Sequence, residues 1–216
     1  MPVRILVDDD HAVVRRGVRS LLESHEGWEV CGEATTGRDA VAQTLRLRPD
    51  VVVMDLSLPE LNGLDATRQI LKAAPDTEVL MLTMHHSEEC ARDVLQAGAR
   101  GYVLKADADE NLIAAVDSLR QHKPFLTPTV TKLVLDDYVR RGDGAEDGVA
   151  LVSPTARERE IIQLLAEGKS NKEAASTLGI SVKTIEAHRA NIMRKLQLRS
   201  VSDLVRYAIR NKIVQP

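Results

Sequence analysis

Through its first ~120 residues the chain alternates short runs of β-branched and apolar residues with amphipathic stretches of helical period, and this alternation leaves few folds open. The strand candidates are Val3 to Val7, Glu29 to Gly32, Val51 to Met54, Val79 to Thr83 and Gly101 to Leu104. Between them lie helical patterns from about Val13 to Ser24, Gly37 to Leu47, Leu64 to Ala73, Ser87 to Ala97 and Ala108 to Gln121. Pro49 and Pro75 follow two of the helix ends, Gly98 stands where a helix needs a left-handed terminator, and Asp109 and Glu110 put negative charge at a helix start. Five βα units of this kind predict a doubly wound parallel sheet of five strands with helices on both faces, and ligands at the carboxyl ends of the strands.

The pattern stops after residue 122. Residues 123–150 contain a Pro-flanked stretch, a possible helix from Pro128 to Arg141, and a run from Gly142 to Gly148 with linker composition. Residues 151–216 then predict a separate all-α domain of four helices. Thr155 with Glu158, Ser170 with Glu173 and Ser200 with Asp203 have the spacing of capping boxes, and Ser181 is a fourth candidate cap. Gly168 ends the first of these helices, and Gly179 falls between the second and third, giving helix, tight turn, helix.

Charge divides at the same place. Residues 1–150 hold 17 Lys and Arg against 26 Asp and Glu, residues 151–216 hold 12 against 6, and the net values are −9 and +6. An anionic partner is therefore expected for the C-terminal domain alone. No apolar run approaches a membrane span and Met1 leads directly into a strand pattern, so a cytoplasmic protein is expected. Cys31 and Cys90 lie far apart without CxxC or Cys/His spacing, which points to reduced thiols. His11, His85 and His86 lack ligand spacing and read as exposed loop residues.

The polar residues at the strand ends carry the chemistry. Asp9 and Asp10 follow the first strand, Asp55 the third, Thr83 ends the fourth and Lys105 follows the fifth, so all converge on one edge of the sheet. Three carboxylates in one pocket repel one another unless a cation is present, which predicts a hard divalent ion, Mg2+ or Mn2+. A lysine and a hydroxyl opposite them would bind the oxygens of a phosphoryl group on one carboxylate. An aspartyl phosphatase is a poorer reading, because such enzymes use a second carboxylate two residues on and this chain has Ser57 there.

The stretches Ile5 to His11, Val51 to Pro59, Leu80 to Thr83 and Gly101 to Lys105 resemble the receiver domain of response regulators, over essentially all of residues 3–122. The resemblance implies a flavodoxin-like domain in which Asp55 accepts a phosphoryl group from a phosphohistidine of a sensor histidine kinase. It also implies Mg2+ held by Asp9, Asp10, Asp55 and the backbone carbonyl of Ser57, with Lys105 neutralising charge and Thr83 and Tyr102 acting as switch residues. Ser57 and His85 occupy the positions that tune phosphoryl lifetime in that family. One departure stands out: three consecutive aspartates occur where the family has two. Aligning on His11 and on Arg15, Arg16 and Gly17 assigns the metal pair to Asp9 and Asp10 and leaves Asp8 as the extra residue.

In the C-terminal domain, Ile185, Ile192 and Leu196 fall on one face of a helix from Val182 to Leu196, with His188 beside them, while Lys183, Ala187, Ala190 and Arg194 face the other way. Small residues flanked by cations on an exposed face let a helix backbone approach a major groove. Residues 153–212 closely resemble the LuxR-type helix-turn-helix, and the whole chain resembles the NarL/FixJ type of two-component regulator. That resemblance implies groove contacts from Lys183, Glu186, Ala187, Ala190 and Arg194, phosphate contacts from Asn171, Lys172 and Lys195, and pairing of two copies through Ser202 to Arg210. Arg189 projects nearer the packed side. The expectation is a phosphorylation-switched transcription factor that binds double-stranded DNA, forms a homodimer when phosphorylated and is not a metabolic enzyme; a receiver serving only for dimerisation is the alternative.

Overall fold

A computed structural model describes residues 2–85, 87–132 and 153–215. The chain divides into two compact units, an N-terminal α/β unit and a C-terminal helical one. His86, most of the expected helix from Pro128 to Arg141 and the linker from Gly142 to Gly148 lie outside the described residues; the opening turn of that helix, 128–132, is described.

In the first unit, β1 (Val3–Asp8), α1 (Ala12–Glu23), β2 (Trp28–Ala34), α2 (Gly37–Leu47), β3 (Val51–Met54), α3 (Gly63–Ala73), β4 (Glu78–Thr83), α4 (Glu88–Gln96), β5 (Gly101–Leu104) and α5 (Ala108–Leu119) follow one another. The sheet order is β2-β1-β3-β4-β5-β6, with every pairing parallel. The sixth strand corrects the expected count of five. β6 (Phe125–Leu126) pairs with β5 through Gly101 and Tyr102, so the sheet runs past residue 122. Two residues are too few to show an alternating pattern, and Pro124 before them is tolerated because the strand is an edge.

Residues in β3 and β4 are buried throughout, which is why these strands read as continuous apolar runs and not as alternations. One face of the sheet packs Ile5, Val7, Val51, Val53, Leu80 and Leu82 against Leu112, Val116 and Leu119 of α5 and Val18 and Leu22 of α1. Local chemistry sets the helix starts: Thr36 accepts the Asp39 N–H and Ser87 the Cys90 N–H. Gly98 takes φ +98°, as its place after α4 requires.

In the second unit, α6 (Ala156–Ala166), α7 (Asn171–Leu178), α8 (Val182–Lys195) and α9 (Val201–Arg210) surround a core that includes Ile161, Leu164, Leu178, Ile185, Ile192 and Leu204. Thr155 and Ser170 form complete capping boxes with Glu158 and Glu173. Ser181 accepts the Thr184 N–H and Ser200 the Asp203 N–H. Gly179 adopts φ +63° between α7 and α8, producing the helix-turn-helix.

Candidate functional site

The acidic site sits at the β1/β3 crevice, where successive crossovers leave the sheet in opposite directions and a cleft must open at the strand ends. Asp55, 3% exposed, leaves β3 with its N–H bonded to the Asp8 carbonyl at 2.9 Å. Its Oδ1 accepts the Leu56 N–H at 2.7 Å and its Oδ2 accepts Lys105 Nζ at 2.8 Å. The same ammonium lies 2.7 Å from Asp9 Oδ2, so Lys105 bridges the ends of β1 and β3. Asp9 Oδ1 in turn accepts the His11 N–H at 2.8 Å, and Asp10, exposed, has its carboxylate 2.7 Å from His11 Nδ1.

Ligand atoms of Asp9, Asp10, His11 and Asp55 all lie within 4.8 Å of one another. The three carboxylates at this spacing suit a hard divalent cation. His11, an exposed loop residue, lies beside these carboxylates. Asp8 is not one of the four. It ends β1 at 1% exposure, with neither carboxylate oxygen hydrogen-bonded. Burial first, and then the negative charges of Asp55, Asp39, Asp9 and Asp10, push its carboxyl up to about 8. Burial also raises Asp55, against the lowering effect of Lys105. For Lys105, burial disfavours the charged form, but its bonds to Asp55 and Asp9 outweigh this and raise its pKa.

At the end of β4, the fully buried Thr83 accepts the His85 N–H at 3.2 Å through its hydroxyl. Tyr102 is equally buried and donates its hydroxyl to the His85 carbonyl, with Cys90 Sγ 3.5 Å away. One residue, His85, is thus bonded to both expected switch side chains, through its N–H to Thr83 and through its carbonyl to Tyr102. Ser57 follows two residues after Asp55 and is half-buried.

Two supporting residues escaped the sequence reading. A Cβ built on Gly63 would lie 2.1 Å from the Asp55 carbonyl oxygen, so only glycine lets α3 begin against the backbone that carries Asp55. The Gly-containing run after Leu58-Pro59 was the available signal. Arg15 is the other. Its Nη1 donates to the Asp9 carbonyl at 2.7 Å and its Nε to Glu33 at 2.8 Å.

In the second unit, α8 exposes Lys183, Glu186, Ala187, Ala190 and Arg194 and buries Ile185 and Ile192. Lys172 is exposed at the start of α7 beside Asn171, whose Oδ1 accepts Arg189 at 3.4 Å. A cleft of about 520 Å³ between these helices is lined by Lys169, Asn171, Lys172, Val182, Arg189 and Val201. Lys195 is placed differently from the other candidate contacts. It donates to Glu158 at 2.7 Å, and this bond is the largest influence lowering the Glu158 carboxyl.

Residues 5–117 match the family model of the response regulator receiver domain, and residues 153–208 match that of the bacterial regulatory proteins of the luxR family. The chain is 40% identical to the oxygen regulatory protein NreC of Staphylococcus carnosus (strain TM300), over 98% of this chain and 99% of that one. Among solved structures, a LuxR-family two-component response regulator from Aurantimonas sp. SI85-9A1 is 33% identical with a TM-score of 0.62, covering 64% of this chain and 99% of that one. RcsB from Salmonella enterica serovar Typhimurium, bound to a promoter in the presence of phosphomimetic BeF3-, is 28% identical with a TM-score of 0.60, covering 96% and 98%.

Proposed function

Because the chain belongs to the two-component response regulators that join a receiver domain to a LuxR-type DNA-binding domain, we propose that phosphorylation of Asp55 controls its binding to promoter DNA. The observation that carries this reading is the bridge from Lys105 to both Asp55 and Asp9 at the β1/β3 crevice. An Asp55 carboxylate oxygen attacks the phosphorus of a kinase phosphohistidine; a P–O bond forms, the P–N bond breaks, and the electron pair returns to the imidazole nitrogen. Lys105 holds Asp55 in place beforehand and afterwards neutralises the oxygens of the phosphoryl group. Asp9, Asp10, Asp55 and the Ser57 carbonyl would hold Mg2+ or Mn2+, which when bound supplies further charge neutralisation.

Thr83 then turns its hydroxyl from the His85 N–H to a phosphoryl oxygen. That change frees the N–H of His85, the residue whose carbonyl Tyr102 holds, and relays the event to the β4–α4 segment. In the output domain, the exposed face of α8 enters the major groove with Lys183, Glu186, Ala187, Ala190 and Arg194, while Asn171 and Lys172 meet phosphates. Lys195 contributes to phosphate binding only after exchanging Glu158 for DNA. Two copies pair through Ser202 to Arg210 when the receiver is phosphorylated, as a cytoplasmic homodimer on double-stranded DNA. RcsB offers a precedent for the promoter complex, and NreC, a relative of this chain, for a regulatory role.

Incubation with a small-molecule phosphodonor and Mg2+, followed by peptide mapping, tests the first step. The expected result is one acid-type acyl phosphate at Asp55, lost in Asp55→Asn and on chelation of the metal. Labelling that survives Asp55→Asn would remove the proposal.

A further inference from the structure

Three consecutive aspartates leave β1, and its apolar pattern does not say which of them should enter the site. Ile5 and Val7 face the core shared with α1 and α5, while Leu6 faces the opposite side, yet all three are at most 1% exposed. A slip of β1 by one residue exchanges these faces, moving Ile5 and Leu6 into the buried places of Leu6 and Val7 but Arg4 into that of Ile5. The slipped frame would present Asp8 and Asp9 to the site in place of Asp9 and Asp10. It would also replace the buried, unbonded Asp8 carboxyl with Val7, which burial alone favours. Backbone ladder bonds, such as Asp55 N–H to the Asp8 carbonyl, form in either frame because they do not depend on side-chain identity. Arg4 thus opposes the slip while Asp8 favours it, and contacts beyond the sheet bear on which frame is kept.

We propose that Arg15 is the positioning residue that sets which aspartates of the Asp8–Asp10 run enter the phosphorylation site, a role that rests on the reading of Asp55 as phosphoacceptor. Its guanidinium donates to the Asp9 carbonyl at 2.7 Å and to Glu33 at 2.8 Å, and the Arg15 and Glu33 side chains are 16% and 28% exposed. Glu33 lies on β2, directly across from Val7. One planar group therefore ties the exit of β1 to β2 and to α1 at once, which a fork of fixed geometry does well and a flexible ammonium does not. The Arg15 N–H bonds to the His11 carbonyl, and the His11 N–H to Asp9 Oδ1, so the chain from Asp9 to Arg15 closes on itself without slack for a further residue. Arg19 holds the second oxygen of Glu33 at 2.7 Å and keeps that carboxylate aimed.

The proposal makes the importance of Arg15 conditional on Asp8. Arg15→Ala, Asp8→Val and the double variant should be compared with the natural full-length chain, by Mn2+ affinity and by the rate of labelling with a small-molecule phosphodonor. With Asp8 present, Arg15→Ala is expected to lower both by about tenfold or more, the usual scale for a group that orients a metal ligand. With Val at position 8 the slipped frame lacks a carboxylate, so the double variant should stay within roughly twofold of Asp8→Val, the difference appearing as coupling in the cycle. An equal loss in both backgrounds, or no loss in either, would overturn the assignment. If Arg15→Ala fails to fold, Arg15→Lys takes its place, because it keeps a cation near Glu33 while losing the two-pronged clasp. Labelling that persists in Asp55→Asn would refute the phosphoacceptor reading instead, and the Mn2+ affinities would still decide the role of Arg15.

Discussion

The two domains reach their order by different routes. In the output domain each helix start is marked by a local capping residue: Thr155 and Ser170 form the full boxes their spacing implies, Ser181 caps as a candidate should, and Ser200 caps Asp203 without completing its expected box. In the receiver, Asp9, Asp55 and Lys105 come from three different strand ends and meet only because the sheet order brings those ends together. Local rules thus build the DNA-reading surface, whereas topology builds the chemical site. The difference teaches where each is vulnerable: the output domain to the loss of a cap, the receiver to anything that shifts one strand or loop against another.

The strongest test of that contrast is Asp8. Its folded carboxyl is raised, so the folded receiver holds this proton between about pH 4 and pH 8 while the unfolded chain releases it, and stability from this group falls as pH rises through that window. Asp8→Val removes the loss. Urea unfolding without divalent cation should show the variant more stable, by an amount growing to on the order of a few kcal/mol at pH 8. A gap that stays constant from pH 5 to pH 8 would contradict the account. Next is Gly63→Ala, whose new methyl group meets the Asp55 carbonyl; a cost of roughly 1–3 kcal/mol, together with slower labelling of Asp55, is expected.

In the output domain the effects should be smaller and confined to that domain. Ser170→Ala removes one capping box and should cost about 1 kcal/mol, read as a lower thermal midpoint of the output domain with labelling of Asp55 unchanged. Smallest is Lys195→Gln. Its partly exposed bond to Glu158 should contribute under about 1 kcal/mol, so a stability change of that size with little change in DNA affinity marks Lys195 as chiefly structural. A large loss of DNA affinity without a stability change would instead restore it to the phosphate contacts.

Much of this arrangement was legible in the residues alone. α2 runs over Gly37–Leu47 as its pattern and the following Pro49 suggest, and the other helices of the receiver differ from expectation by one or two residues at their ends. Five polar residues at strand ends pointed to one edge because parallel strands share a direction. What stayed hidden depends on contacts between distant segments. Gly63 is special only because α3 turns back onto Asp55, and Arg15 only because Glu33 and the Asp9 carbonyl stand within its reach. β6 was missed because a two-residue edge strand has no period to detect. The burial of Asp8 was not visible either, since a third aspartate in a run carries no mark of which face it will take.

The central claim is that a chemical event in the receiver governs the surface built by the output domain. It is tested most directly by measuring the affinity of the full-length chain for DNA sites selected by its own output domain, with and without stoichiometric phosphorylation of Asp55. A rise of about tenfold or more on phosphorylation, absent in Asp55→Asn, is the expected result and corresponds to a coupling of roughly 1.4 kcal/mol or more. Equal affinity of the modified and unmodified chains would contradict it.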